Sequence, residues 1–290
     1  MCYSAASMVS RTTLSTLVLA ALLVHRGAAA EGPPDKPGKG GGKGGANVVA
    51  VSSELGQKLK SEDPAEIRGA LDEVRVAGRS ASHLAGDVAA LLDRGVSRAL
   101  TEAALETLGD LEVESVATSI VPYTMHRDVK IRRLAVSTLV RCKGPVAVRT
   151  LRQRLADSDA MVRGTAASGL GAMKAKDALP DLFVAFDHKV AEAAASIGQL
   201  CTPKECDDFG ARLGRQPFEV MTGGFDQILF RPTSEVSDDG KIKVIGRLRE
   251  LGTADSNKFL RDVQKRLPKT ASARVKQALE QAIQATGGGA

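Results

Sequence analysis

Tryptophan is absent, and two Tyr and seven Phe bring the aromatic share of the 290 residues to only 3%. The strands of a sandwich or barrel draw on aromatic and β-branched residues. That scarcity, beside abundant Ala, Leu and Arg, excludes such a fold and leaves helix as the default. Long apolar runs are missing too. The longest, Leu17 to Val24 (LVLAALLV), is broken off by His25 and Arg26 and cannot span a hydrocarbon core of roughly 30 Å. Also missing are G-x-x-x-x-G-K-[ST], G-x-S-x-G and H-E-x-x-H, the short patterns behind phosphate-binding loops, nucleophile elbows and zinc proteases.

What is present is an ordinary globular balance, 43% hydrophobic and 26% charged, which excludes wholesale disorder and a polytopic membrane fold. The formal net charge is +6. Arg11 and Arg26 supply +2 of it within residues 1–30, and Lys36, Lys39 and Lys43 against Glu31 and Asp35 supply +1 within residues 31–46. Only +3 is left for the rest, so no nucleic-acid partner is expected.

Residues 1–30 read as a signal peptide. Arg11 is the positive flank, Leu17 to Val24 the apolar core, and Ala28-Ala29-Ala30 a small-residue cleavage site before Glu31; Met8 is an alternative start. Cys2 stands too early for lipid attachment. The expectation is an exported protein of the periplasm or envelope, or a secreted one, with no transmembrane span after cleavage. Residues 31–46 (EGPPDKPGKGGGKGGA) hold nothing that would repay ordering and are expected to be a flexible Gly/Lys/Pro linker.

Residues 47–290 carry an internal repeat. Asp159 to Gly171 (DAMVRGTAASGLG) is its clearest copy and Asp128 to Val140 (DVKIRRLAVSTLV) the next. Ser97 to Gly109, Asp187 to Gly198, Asp239 to Gly252 and Ser272 to Ile283 follow, and Asp63-Pro64 opens the series. The aliphatic anchors Ile67, Leu100, Ile131, Val162, Val190, Ile242 and Val275 stand 33, 31, 31, 28, 52 and 33 residues apart. A period near thirty holding two amphipathic runs predicts an all-α solenoid of about seven stacked helical hairpins. An Asp or Ser would cap each first helix, and Leu-Gly would release the chain toward the second. Second helices are predicted at Pro145 to Ala156 and Thr253 to Leu267, each with one apolar face. The 52-residue interval breaks the period, and six of the seven Phe lie between positions 183 and 230. Such a break admits a binding feature. The better-supported reading is a lost or resized helix whose gap larger side chains fill.

The D-x-x-[VI]-R-x-x-A-A-x-x-L-G wording at Asp159 resembles the HEAT repeat, in the bacterial variety similar to the phycobilin-lyase type; the resemblance extends over about residues 61–285. It implies a right-handed superhelix and a scaffold that binds a protein partner. It also implies a polar ladder between neighbouring repeats formed by Asp128, Arg132, Asp159 and Arg163, interrupted where Ser97 and Thr101 or Ala191 replace the ladder residues. His83, His126 and His188 are not followed by Glu, which removes di-iron hydroxylation. A DNA-repair cleft would want Trp. An enzyme of the pigment-lyase or DNA-repair type, or a purely structural envelope component, stays as the alternative to a non-catalytic binding platform. No cofactor and no metal site is expected.

Two site expectations remain. Cys201 and Cys206 (CTPKEC) flank a helix start at Thr202-Pro203 and are either two buried small hydrophobes or, in an exported protein, a disulfide; Cys142 would be a free thiol. The sign of charge is also segregated along the chain, +7 over residues 126–163 and +8 over residues 241–276. Arg149 and Arg152, and Lys258, Arg261 and Lys265, form stripes on predicted second helices. They would either add into one basic groove for an acidic segment or anionic envelope polymer, or merely solvate exposed helices. The protein is expected to be a monomer.

Overall fold

The structure, a computed structural model, describes residues 54–287. The expected signal peptide and linker lie outside the described residues. The described chain is an α-solenoid without a strand, in fourteen helices after a helical turn at 54–59. These are α1 Pro64–Ala77, α2 Ala85–Arg94, α3 Arg98–Leu111, the short α4 Ala117–Ile120, α5 Val129–Cys142, α6 Gly144–Arg154 and α7 Ala160–Ala172. Then follow α8 Leu179–Asp187, α9 Ala193–Leu200, α10 Pro203–Gly210, α11 Phe218–Phe230, α12 Asp238–Leu251, α13 Ala254–Arg266 and α14 Ala273–Gly287.

Local chemistry sets the helix starts. Asp63 accepts from the Ala65 N–H at 2.8 Å, Asp128 from Lys130 at 2.9 Å and Asp159 from Val162 at 3.1 Å, so each carboxylate satisfies an N-terminal donor the helix cannot. Thr253 and Ser272 do the same for α13 and α14. Asp187, expected to open a helix, instead closes α8; the backbone turns through Lys189 at φ +67° and helix resumes at Ala193. The Ala191-Glu192 pair leaves that end without a side-chain cap.

Alternate helices stack on each other, α1 on α3, α3 on α5, and so on through α7, α9 and α11. The period-3.6 faces that the sequence displays are buried there, with Ile131, Ala135, Leu139, Val162, Ala166 and Leu170 all at most 1% exposed. Buried side chains form two runs, one up to Ala147 and one from Val136 onward, which overlap across α5 and α6. Tertiary packing therefore continues through the array rather than closing into one sphere.

The 52-residue anchor interval contains three helices, α9, α10 and α11, where the other intervals contain two. An odd number of helices changes the row. Helix α11 stacks on α9 in the first row, whereas α12, which carries the anchor Ile242, lies against α10 in the second, and α14 lies against α12. Side chains mark the same neighbours. Lys243 of α12 pairs with Asp207 of α10, and Arg266 of α13 pairs with Asp226 of α11 at 2.5 Å. The fourteen helices thus form seven pairs, but the anchors Ile242 and Val275 sit on second helices, and Thr253–Leu267, expected to be a second helix, supplies a first. In place of a lost helix, the interval holds an added one. Its Phe residues fill the junction: Phe209, fully buried, meets Phe186 at 5.4 Å and Phe225 at 5.3 Å between ring centroids.

Candidate binding surface

The polar ladder is real but is built from a different selection of residues. Arg98 of α3 pairs with Asp128 at 2.8 Å, and Arg133 of α5 pairs with Asp159 at 2.6 Å, so the ladder runs through the unit where Ser97 and Thr101 were expected to interrupt it. Arg132 reaches Asp157, with Nε and Nη2 donating at 3.1 and 3.0 Å, while Asp157 also accepts from the Asp159 N–H at 2.9 Å. Arg163 donates to the carbonyls of Asp157 and Ser158 at 2.7 and 3.0 Å and thus ties down its own loop. Asp157 and Arg133 were missed by pattern reading. The only local signal for Asp157 is a carboxylate two residues ahead of a capping Asp, where it can accept a turn N–H.

The Arg133 guanidinium holds Asp159 well below the ordinary carboxylate value, at about 2, with the Val162 N–H adding to the effect. A depressed native pKa means a stabilising contribution that is complete above the ordinary value of 3.8 and is lost as pH falls toward about 2. Replacing Arg133 with Gln should therefore lower the urea midpoint at pH 7, and the gap to wild type should close between about pH 4 and pH 2. A gap independent of pH would assign the loss to packing instead.

The same adjacency of units offsets the charge blocks. Residues 62–114 carry net −7 and residues 164–240 net −5, alternating along the chain with the two basic blocks. Stacking sets each block beside one of opposite sign. Arg141 meets Asp110 at 2.8 Å, Arg152 meets Asp181 at 2.5 Å and Arg274 meets Asp239 at 2.6 Å. Asp110 is shared with Arg75 at 3.1 Å, so the acidic stretch of α3 is bridged to helices on both sides.

All five proposed stripe residues, Arg149, Arg152, Lys258, Arg261 and Lys265, are exposed. The structure does not bring the two stripes together. Arg149 and Arg152 stand on α6 in the second row and Lys258, Arg261 and Lys265 on α13 in the first, because the added helix switched the rows between them. Arg152 is engaged by Asp181, and Arg261 donates to Asn257 Oδ1 at 2.8 Å. A single basic groove built from both stripes is therefore ruled out by the topology.

What the surface offers are open grooves between successive helices of one row. A groove of about 510 Å³ between α6 and α8 is lined by Arg152, Leu155, Asp181, exposed Val184 and His188. One of about 670 Å³ between α8 and α10 is lined by Phe183, Glu205, Arg212 and Arg215, and there the Arg212 guanidinium lies 4.5 Å from the Phe183 centroid and pairs with Asp187 at 2.8 Å. A third, of about 680 Å³, runs between α11 and α13 over Phe218 and Phe259, whose rings meet edge to face at 5.9 Å. Phe218 and Phe259, 41 residues apart on neighbouring first-row helices, share that groove at a separation that matches none of the anchor intervals.

Cys201 and Cys206 are joined in a disulfide across the start of α10, and Cys142 is a buried free thiol pushed up to about 11 by burial. Beside the bridge, Arg231 Nη1 donates to the carbonyls of Cys201 and Gly198 at 2.8 and 3.2 Å, and the Arg231 carbonyl accepts from buried Lys241, whose pKa burial pushes down. Cations thus terminate both α9 and α11. Among the described residues no group of three or more His, Cys, Asp or Glu is placed to hold a metal ion, and no helix is long and apolar enough to cross a membrane.

Residues 121–197 match the family model described as HEAT repeats. The match covers α5 to α9, the part that contains the Asp128 and Asp159 copies. No curated protein matches the chain. Solved structures similar to it include an engineered protein, at 15% identity over 84% of this chain and 70% of that one, with a TM-score of 0.47. The complex of CpcE and CpcF of phycocyanin lyase from Nostoc sp. PCC7120 is similar at 16% identity over 89% of this chain and 100% of that one, with a TM-score of 0.43. A designed armadillo repeat protein is similar at 14% identity over 80% and 98% of the two chains, with a TM-score of 0.39.

Proposed function

We propose, on the premise that residues 121–197 are HEAT repeats within an array of seven stacked helix pairs, that the chain is an exported, non-catalytic scaffold that binds a protein partner through its helical-repeat surface. The observation that carries this reading is the series of open grooves between same-row helices, each with an apolar or aromatic floor and charged rims. Such grooves fit an extended or helical segment of another chain, with floor contacts giving affinity and rim charges giving register. Export is supported by the signal-like residues 1–30 and by the Cys201–Cys206 bridge, a bond that persists in oxidising compartments.

One mass measurement addresses compartment and cysteine state together. Cleavage after Ala30 removes Cys2 and leaves three cysteines. Protein purified from envelope extracts should begin at Glu31, take up one alkyl group when unfolded without reductant, and take up three after reduction. Intact Met1 or Met8, or three reactive thiols before reduction, would reject export and the bridge respectively. Capture from envelope extracts with the mature chain as bait tests the platform itself: a stoichiometric protein partner supports it, and recovery of the bait alone rejects it. A coloured preparation would instead favour the lyase alternative.

A further inference from the structure

The groove between α11 and α13 differs from the other two in the balance of its rims. Its floor is Phe218 and Phe259, both half-buried, with Thr222 and Gly223 beside them. Four carboxylates line it, Glu219, Asp226, Asp255 and Asp262, against two cations, Lys258 and Arg266. Arg266 is already spoken for: it pairs with Asp226 at 2.5 Å and Asp262 at 2.9 Å, and its guanidinium lies 4.8 Å from the Phe230 centroid. The far end of the groove therefore holds one of the chain's own arginines between an aromatic face and two carboxylates. At the near end the same materials stand without such an occupant: the paired rings of Phe218 and Phe259, and exposed Glu219 and Asp255, with Lys258 as the only nearby cation in the lining.

We propose that this groove is a docking site for an extended segment of a protein partner that carries closely spaced Lys or Arg side chains. This rests on the platform reading above and names the chemistry of its partner. An aromatic face attracts a cation through its quadrupole, and attraction grows when the pair is withdrawn from water. Carboxylates on both rims would set the register and steer the approach. The Arg212 site, with Phe183 below and Asp187 beside it, repeats the arrangement within the molecule and is likewise filled by the chain's own side chain. Lys258 acquires the opposite role from the one its place in a basic stripe would give: it opposes the occupant rather than holding an acidic one.

The test uses the mature chain and a fluorescein-labelled octapeptide of alternating Lys and Arg, with anisotropy read at low and physiological salt. Wild type should bind the peptide, and binding should weaken as salt rises. The double variant Glu219→Lys, Asp255→Lys should weaken it by roughly tenfold or more, Phe259→Ala by about threefold to tenfold, and Lys258→Glu should tighten it by about threefold. Glu66→Lys with Asp72→Lys on α1, an equal charge change elsewhere, should leave affinity within about twofold. The exposed charge variants keep the test valid if Phe259→Ala fails to fold. Absence of binding by wild type, equal weakening by the α1 variant, or weaker binding by Lys258→Glu would overturn the proposal. A partner captured from extracts equally well by wild type and by the Glu219, Asp255 variant would overturn the groove while leaving the platform; no partner for either would overturn the platform.

Discussion

Asp157→Ala should cost about 3–5 kcal/mol, the expected penalty for removing one member of a buried ion pair. The Asp157 side chain is 5% exposed and that of Arg132 14%. The carboxylate accepts from Arg132 Nε and Nη2 and from the Asp159 N–H, and it lies 4.0 Å from Arg154 Nη1, which also donates to the Thr124 carbonyl at 3.3 Å. Deleting it leaves two arginines short of counter-charge at the joint between α5, α6 and α7 and frees the turn that presents the Asp159 cap. Asp157→Asn, which keeps the turn acceptor, should fall between wild type and Asp157→Ala. Arg152→Ala, which breaks an exposed pair with Asp181, should cost less than about 1 kcal/mol. Urea midpoints rank the three, and hydrogen exchange should place the loss of protection from Asp157→Ala in α5 to α7. Equal costs at Asp157 and Arg152 would show that burial does not decide the strength of these pairs.

Phe209→Ala should cost about 3–5 kcal/mol by leaving a cavity between Phe186 and Phe225. The backbone around that ring offers a sharper contrast at two adjacent glycines of α11. A Cβ on Gly224 would fall on the Phe209 ring and stand 2.7 Å from the Ala194 carbonyl oxygen, whereas a Cβ on Gly223 would meet only Ala195 Cβ at an ordinary 3.6 Å. Gly224→Ala should therefore destabilise by about 1–3 kcal/mol through overlap with backbone that cannot move aside. Gly223→Ala should stabilise by about 0.5–1 kcal/mol through helix propensity alone. Thermal or urea unfolding reads the sign directly. If both substitutions stabilise, α9 and α11 are not in the close contact that Gly198 and Gly224 permit.

These outcomes separate what each level of structure decides. Helix starts were legible because Asp63, Asp128, Asp159 and Thr253 act on N–H groups two or three residues away, well within the reach of local sequence. Apolar faces were legible because Ile131 and Ala135, or Val162 and Ala166, recur at the helical period. Where the side-chain cap was missing, the helix start slipped by five residues, from an expected cap at Asp187 to an observed one at Glu192, since nothing local fixes it.

Stacking lies a whole unit away in sequence, and there local pattern gives no purchase. The choice of Arg133 over Arg132 as the partner of Asp159 turns on which side of α5 faces α7, a matter of helix rotation in the packed array. The basic blocks were visible as numbers, but their neutralisation by acidic blocks depends on which units touch. Most of all, the anchors resumed after the 52-residue break on the other row of helices, because a repeat motif records a helix's own amphipathic face and not which row that helix joins. By itself the sequence determined an all-helical repeat array, most of its caps and its buried faces, since these are set by interactions within one or two turns. Only the tertiary structure decided the row switch at α11, the separation of Arg149 and Arg152 from Lys258, and the meeting of Phe218 with Phe259, because each follows from counting helices in space.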